Sequence, residues 1–297
     1  MLAGGTGGAK LAAGLHSVLP RGHLTVVANT ADDDEFWGLA VSPDVDAVIY
    51  RLAGVFNEDA GYGVANDSFH VLEALGSIGE DTWFRLGDRD IATHLLRSDL
   101  IRAGATPTEA TLRLCEKFDL ATRVLPMTDA RVRTRFVTDR GELSFQEYFV
   151  RERLEPRLLE VRFAGIEAAT ATPQVLAALA EADLVIIGPS NPIISVGPML
   201  ELLAPRIPRA RAIAVSPIVG GIALKGPTVE MMTALGHDPT PLEVARMYLH
   251  VVAGFALDRR DSGASDAIEK LGLRVRVCDT VMTDGGRALA ESLLAGV

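Results

Sequence analysis

The chain has 297 residues, 48% of them hydrophobic, and a formal net charge of -10. That length allows one large α/β domain with a subdomain, and the acidic balance argues against nonspecific binding of nucleic acid. No apolar run is long enough to span a bilayer, no basic segment followed by an apolar one opens the chain, and Cys115 and Cys278 lack metal-ligand spacing. A cytoplasmic protein with buried thiols is the expectation.

Met1-Leu2-Ala3 ends a first strand that runs into Gly4-Gly5-Thr6-Gly7-Gly8-Ala9-Lys10, followed by a helix over about Lys10 to Leu19. Four glycines in five positions let a ligand approach bare N–H groups at a helix N-terminus, which suits a phosphate. The pattern is neither a full P-loop nor a clean dinucleotide fingerprint, and tight strand–helix packing alone also accounts for it. His23 to Ala28 reads as a second buried strand, apolar almost throughout as parallel strands are, and it delivers Asn29-Thr30-Ala31-Asp32-Asp33-Asp34. Adjacent aspartates at a strand's carboxyl end fit either a solvated turn or a cation site. Asp44 and Asp46 open the next helix; one is a cap, or Asp46 joins Asp32 and Asp33 around a hard cation.

Leu52 to Gly63 is a glycine-rich loop, and Asn66 to Leu75 a short helix. Arg85 and Arg89 bracket a turn with Asp88 and Asp90, which fits either a phosphate clamp or a surface ion-pair network. A helix with His94, Arg97 and Arg102 follows, His94 reading as a packed or surface residue, and Pro107 to Phe118 is a further helix. Arg131 to Thr138 alternates strictly, turns at Asp139 to Glu142 and returns over Leu143 to Val150, an antiparallel hairpin.

The α/β rhythm then resumes. A helix runs from Thr172 to Ala182. Strands Asp183 to Ile187, Ala212 to Val215 and Leu273 to Cys278 follow, with Lys225 beside Gly226 and a closing helix over Gly286 to Ala295. Gly188-Pro189-Ser190-Asn191-Pro192 and Ser216-Pro217-Ile218-Val219-Gly220-Gly221 lie at strand ends. The expected fold class is α/β: a Rossmann-like, doubly wound, mainly parallel sheet, with a core of residues 1–90 and 161–297. Residues 91–160 form an inserted helical-plus-hairpin subdomain over the site. An acidic cluster among anion-binding turns points to a metal holding a phosphorylated ligand. No Ser-His-Asp elbow supports acyl transfer.

Taken in order, Gly4 to Lys10, Asn29 to Asp33, Ser42 to Asp46, Leu86-Gly87-Asp88-Arg89-Asp90, Phe145-Gln146-Glu147-Tyr148, Gly188 to Pro192 and Ser216 to Gly221 resemble the 2-phospho-L-lactate transferases of coenzyme F(420) biosynthesis. The resemblance spans nearly the whole chain. It implies transfer of a phospholactyl or phosphoenolpyruvyl group from a guanosine diphosphate-linked donor to the ribityl hydroxyl of 8-hydroxy-5-deazariboflavin, with release of GMP, dependence on Mg2+, and a homodimer. By that resemblance Gly4, Gly5, Thr6, Gly7, Gly8, Lys10, Ser190 and Asn191 hold the donor. Asp32, Asp33 and Asp46 hold the metal and act in catalysis, and Asp46 and Arg85 contact the deazaflavin with Asp88 and Arg89 nearby. Arg85 stands where lysine is expected in many relatives. Phe36, Trp37 or Tyr148 either supply an apolar wall or are ordinary core aromatics. A sister group of regulators, the gluconeogenesis-factor type, shares the opening glycines and the Ser-Asn-Pro turn. The competing reading is therefore a nucleotide-sugar-binding regulator without turnover.

Overall fold

The computed structural model describes residues 1–224 and 226–295, which leaves Lys225 outside the described residues. Its centre is a seven-stranded parallel sheet: β1 (Leu2–Ala3), β2 (Thr25–Ala28), β3 (Arg123–Pro126), β4 (Val185–Ile187), β5 (Ala212–Val215), β6 (Gly254–Asp258) and β7 (Arg274–Cys278). The spatial order is β3-β2-β1-β4-β5-β6-β7, the doubly wound order, with its switch point between β1 and β4. The strands are apolar on both faces because both are covered. Leu2, Val27, Leu125, Ile187 and Phe255 pack into one core, and Ala3, Val26, Val124, Ile186 and Ala256 into the other.

Helix α1 (Gly5–Val18) starts at the glycines themselves, five residues before the expected start, and packs between α2 (Pro43–Leu52) and the terminal helix Arg287–Leu294. Glycines seldom persist in helices, but here packing overrides propensity. A Cβ at Gly7 would lie 2.3 Å from the Pro189 carbonyl oxygen, and one at Gly4 would lie 2.7 Å from Ser195 Cβ. So the glycines serve close packing against the β4 turn as well as leaving N–H groups bare. Next come α3 (His70–Ser77), α4 (Asp88–Arg102) and α5 (Pro107–Lys117), the last opened by a Thr106–Glu109 capping box.

The inserted segment has different bounds from those expected. Arg123–Pro126, placed by sequence inside the 91–160 insert, pairs with Thr25–Ala28 as the edge of the central sheet. What stands apart is a three-stranded antiparallel sheet in which Arg133–Thr138 lies between Gly141–Ser144 and Leu158–Ala164. The hairpin's return strand stops at Ser144 because the chain enters a π-helical turn, Glu147–Arg151. Strand β6, absent from the sequence reading, is buried along its whole length.

Candidate functional site

Because all seven strands are parallel, the loops after Ala3, Ala28, Ile187 and Val215 gather at one edge of the sheet. Two hollows open there. One is lined by Gly4, Gly5, Thr6, Gly7, Asp32, Asp44, Ser190, Asn191, Ser195, Phe145 and Phe149 among others. The second is walled by Tyr50, Phe56, Tyr62, Trp83 and Phe84, with Asp46, Arg85, Asp90, His94 and Gln146 on its lining. Both share Gly5, Thr6, Pro43 and Asp44, so they meet at the N-terminus of α1.

The glycine-lined hollow is built largely of backbone and small polar side chains. Gly4 is the N-cap of α1 without a side-chain cap, and the Ser190 hydroxyl donates to the Gly4 carbonyl, tying the two loops together. Asn191 Oδ1 accepts from the N–H groups of Ile193 and Ile194, which fixes the Ser-Asn-Pro turn. Asp32, in the loop after β2, and Asp44, on α2, face this hollow. Asp32 accepts from Thr134 Oγ1 at 3.1 Å, and Asp44 accepts from Asn29 Nδ2 at 3.0 Å. Burial and then the Asp44 charge push the Asp32 carboxyl well above its usual range. Burial lifts Asp44 to about 6, against hydrogen bonds from Asn29 and the Gly5 N–H.

Two buried carboxylates that oppose each other's ionisation, beside bare helix N–H groups, suit a hard divalent cation. Magnesium takes one or two carboxylates and completes its shell with water and phosphate. The residues present therefore fit Mg2+, and Asp32 and Asp44 are the side chains that would hold it.

Asp33 and Asp46 do not join that pair. Asp33 turns away, accepting from Ser42 Oγ at 2.9 Å and lining a separate hollow with Arg97 and Arg133. Burial lifts its pKa to about 7. Asp46 lies on the aromatic hollow, but Arg97 holds both its oxygens, NH1 reaching Oδ2 at 3.0 Å and NH2 reaching Oδ1. A carboxylate engaged by a buried guanidinium is a poor metal ligand. Among the described residues no group of three or more acidic, histidine or cysteine side chains forms a metal cage.

The Asp46–Arg97 pair belongs to a buried network that the sequence reading did not assemble. His94 Nδ1 lies 3.2 Å from Arg97 NH1, His94 Nε2 lies 3.1 Å from Asp90 Oδ1, and the Tyr50 hydroxyl donates to Asp90 at 2.7 Å. Asp90, His94 and Arg97 repeat at helical spacing on α4, and that spacing was the available signal.

Arg85 lines the aromatic hollow with its guanidinium 4.4 Å over the Phe69 ring. Asp88 lines neither hollow. It accepts from Ser68, His70 and Val71 at the start of α3, and these hydrogen bonds hold its pKa well below the usual range. Arg89 donates its N–H to Asp67 and is exposed, and Gly8 and Lys10 lie outside both linings. The aromatic wall is not made by the three rings singled out from sequence. Phe36 backs it, stacked on Phe84 at 3.8 Å, and Trp37 sits beside Phe36. Tyr148 is buried against Phe136 in a separate core.

Residues 1–277 match the family model described as 2-phospho-L-lactate transferase CofD. The chain is 40% identical over 295 residues to a 2-phospho-L-lactate transferase of Methanosarcina acetivorans, covering 98% of this chain and 96% of that one. It is 38% identical over 294 residues to a phosphoenolpyruvate transferase of Streptomyces avermitilis, covering 96% and 92%. A solved structure of a UPF0052-family protein from Bacillus halodurans shares the fold, with a TM-score of 0.64 at 14% identity over 99% of this chain and 97% of that one.

Proposed function

The chain belongs to the 2-phospho-L-lactate transferase CofD family, and from that premise we propose that it moves a phospholactyl or phosphoenolpyruvyl group from a guanosine diphosphate-linked donor to the ribityl hydroxyl of 8-hydroxy-5-deazariboflavin, releasing GMP. The observation that carries this reading is the meeting of two unlike hollows at Gly5, Thr6, Pro43 and Asp44. A flat, largely apolar ring system fits the aromatic hollow, and a diphosphate fits the glycine-lined one.

In the transfer, the hydroxyl oxygen forms a new bond to the phosphorus that carries the acid unit. The bond from that phosphorus to the bridging oxygen breaks, and the bridging oxygen departs on GMP. A phosphate monoester has a second pKa of about 6, so the released GMP can take up the hydroxyl proton. The protein's part is to position the partners and offset charge. The N-terminal N–H groups of α1 face the diphosphate. Arg97 keeps Asp46 fixed on the aromatic side, where it accepts hydrogen bonds from the deazaflavin or its ribityl chain, and Arg85 closes that side. Mg2+ held by Asp32 and Asp44 would supply the positive charge that a diphosphate needs beside two carboxylates.

The test is incubation of the protein with deazaflavin, Mg2+ and each candidate donor, with mass spectrometry of the product. A deazaflavin product enlarged by a phospholactyl or phosphoenolpyruvyl unit, together with GMP, is the expected result. Tight nucleotide binding with neither deazaflavin binding nor turnover would overturn the reading in favour of a regulator.

A further inference from the structure

The Phe145-Gln146-Glu147-Tyr148 stretch has a placement that its neighbours explain. Gln146 immediately precedes the π-helical turn Glu147–Arg151. That turn forms the partition between the two hollows: Phe145 and Phe149, stacked at 4.3 Å, line the glycine side, while Gln146 and Val150 line the aromatic side. π-Helical turns inside proteins concentrate at functional sites, where they re-aim side chains. This one is pinned from behind, since Glu147 accepts from the Ser144 N–H at 2.8 Å and the Tyr148 hydroxyl donates to the Pro156 carbonyl at 3.2 Å.

Gln146 is 4% exposed, and its Nε2 donates to the backbone carbonyl of Asp32 at 3.2 Å. A carbonyl only accepts, so this bond fixes which end of the amide is which. The carbonyl Oε1 is then the free end of the amide, and it accepts no hydrogen bond from any described residue. An amide oxygen held on the wall of the aromatic hollow, free of protein donors and open to it, is available to accept from a ligand donor. An alcohol supplies one, whereas a phosphate oxygen or a carboxylate is repelled.

We propose that Gln146 orients the acceptor hydroxyl, with its Oε1 accepting the hydrogen bond of a primary alcohol on a polyol chain and so turning an oxygen lone pair toward the phosphorus where the two hollows meet. This inference rests on the reading of the aromatic hollow as the acceptor site. The amide takes up no proton, so the bonds made and broken are those given above. The same contact gives the enzyme a means of choosing its acceptor: a ring system lacking a hydroxyl at that reach binds the aromatic wall but is not a substrate.

The test separates this role from mere support of Asp32. Gln146→Met preserves volume and removes both amide contacts. A well-placed orienting contact predicts a fall in kcat of about 100-fold. Deazaflavin binding by fluorescence and Mg2+-dependent GDP binding by calorimetry stay within about twofold of wild type. Unchanged kcat would overturn the proposal, and so would a loss of GDP affinity equal to the loss of kcat, which marks a structural role through Asp32. If Gln146→Met does not fold, Gln146→Asn, which keeps the amide but withdraws it by one methylene, is read by the same criteria. Wild-type protein that does not bind deazaflavin would overturn the acceptor reading itself. An active wild type with an equally active variant overturns only the role of Gln146.

Discussion

The two hollows are built on opposite physical plans. The aromatic one is set by side chains locked to each other: Arg97 on Asp46, His94 between Arg97 and Asp90, Tyr50 on Asp90, and Phe84 stacked on Phe36. The glycine-lined one is set by backbone and by two carboxylates, Asp32 and Asp44, whose burial opposes their ionisation. The first is held in shape by contacts among its own side chains. The second sets two carboxylates beside groups that attract anions, an arrangement that a cation and a phosphate together would balance. The contrast predicts that a metal requirement would fall on the ligand of the glycine-lined hollow and not on that of the aromatic one.

Substitutions can break this contrast, beginning with the largest effect. Asp44→Asn removes a charge shared by both hollows, and a fall of about 1,000-fold in Mg2+-dependent transfer is expected with little change in melting temperature. Steady-state kinetics alongside thermal melting checks this, and retained turnover would remove Asp44 from the metal centre. Asp46→Ala acts differently, because it strands the buried Arg97 guanidinium. Breaking a buried pair costs about 3–5 kcal/mol, so the expected phenotype is a lowered denaturation midpoint, read by urea unfolding. Gly7→Ala drives a Cβ toward the Pro189 carbonyl and should cost about 1–3 kcal/mol together with weaker GDP binding, since the β4 turn must shift.

Smaller effects sharpen the contrast. With Asp44 lifted to about 6 from 3.8, protons compete with the cation below that pH. Mg2+ affinity should therefore fall about tenfold for each pH unit below 6, per proton displaced, while deazaflavin affinity stays level. The sign for stability is the reverse. A raised folded-state pKa favours the metal-free fold below pH 3.8, and that contribution is lost as pH rises through 6. Arg85→Ala, on the aromatic rim, should weaken deazaflavin binding by about two- to fivefold and leave GDP binding unchanged. Equal effects on both ligands would place Arg85 outside the acceptor side.

The fold was legible where the chain states it locally. Strands β1, β2, β4, β5 and β7 carry apolar runs or alternation that sequence periodicity detects. β6 begins at Gly254, and β3 is four residues long, begins with an exposed arginine and ends in proline, so neither resembles a buried strand out of context. The site was legible in its loops but not in its pairings. Asp44 reads as an ordinary first-turn acid of α2, and only the fold carries it to the N-terminus of α1. Asp46 reads as equivalent to it until Arg97, 51 positions later, claims both its oxygens. The aromatic wall comes from residues 50, 56, 62, 83 and 84, spaced by no helix or strand period. Gln146 stands within Phe145-Gln146-Glu147-Tyr148, but its contact with Asp32 spans 114 positions.

Calorimetric titration of wild-type protein with GDP and, separately, with deazaflavin, each in Mg2+ and in chelator, tests the division between the hollows most directly. GDP binding that is lost in chelator while deazaflavin binding is unchanged is the predicted result. GDP binding of equal strength in both, or deazaflavin binding that needs the metal, would contradict it.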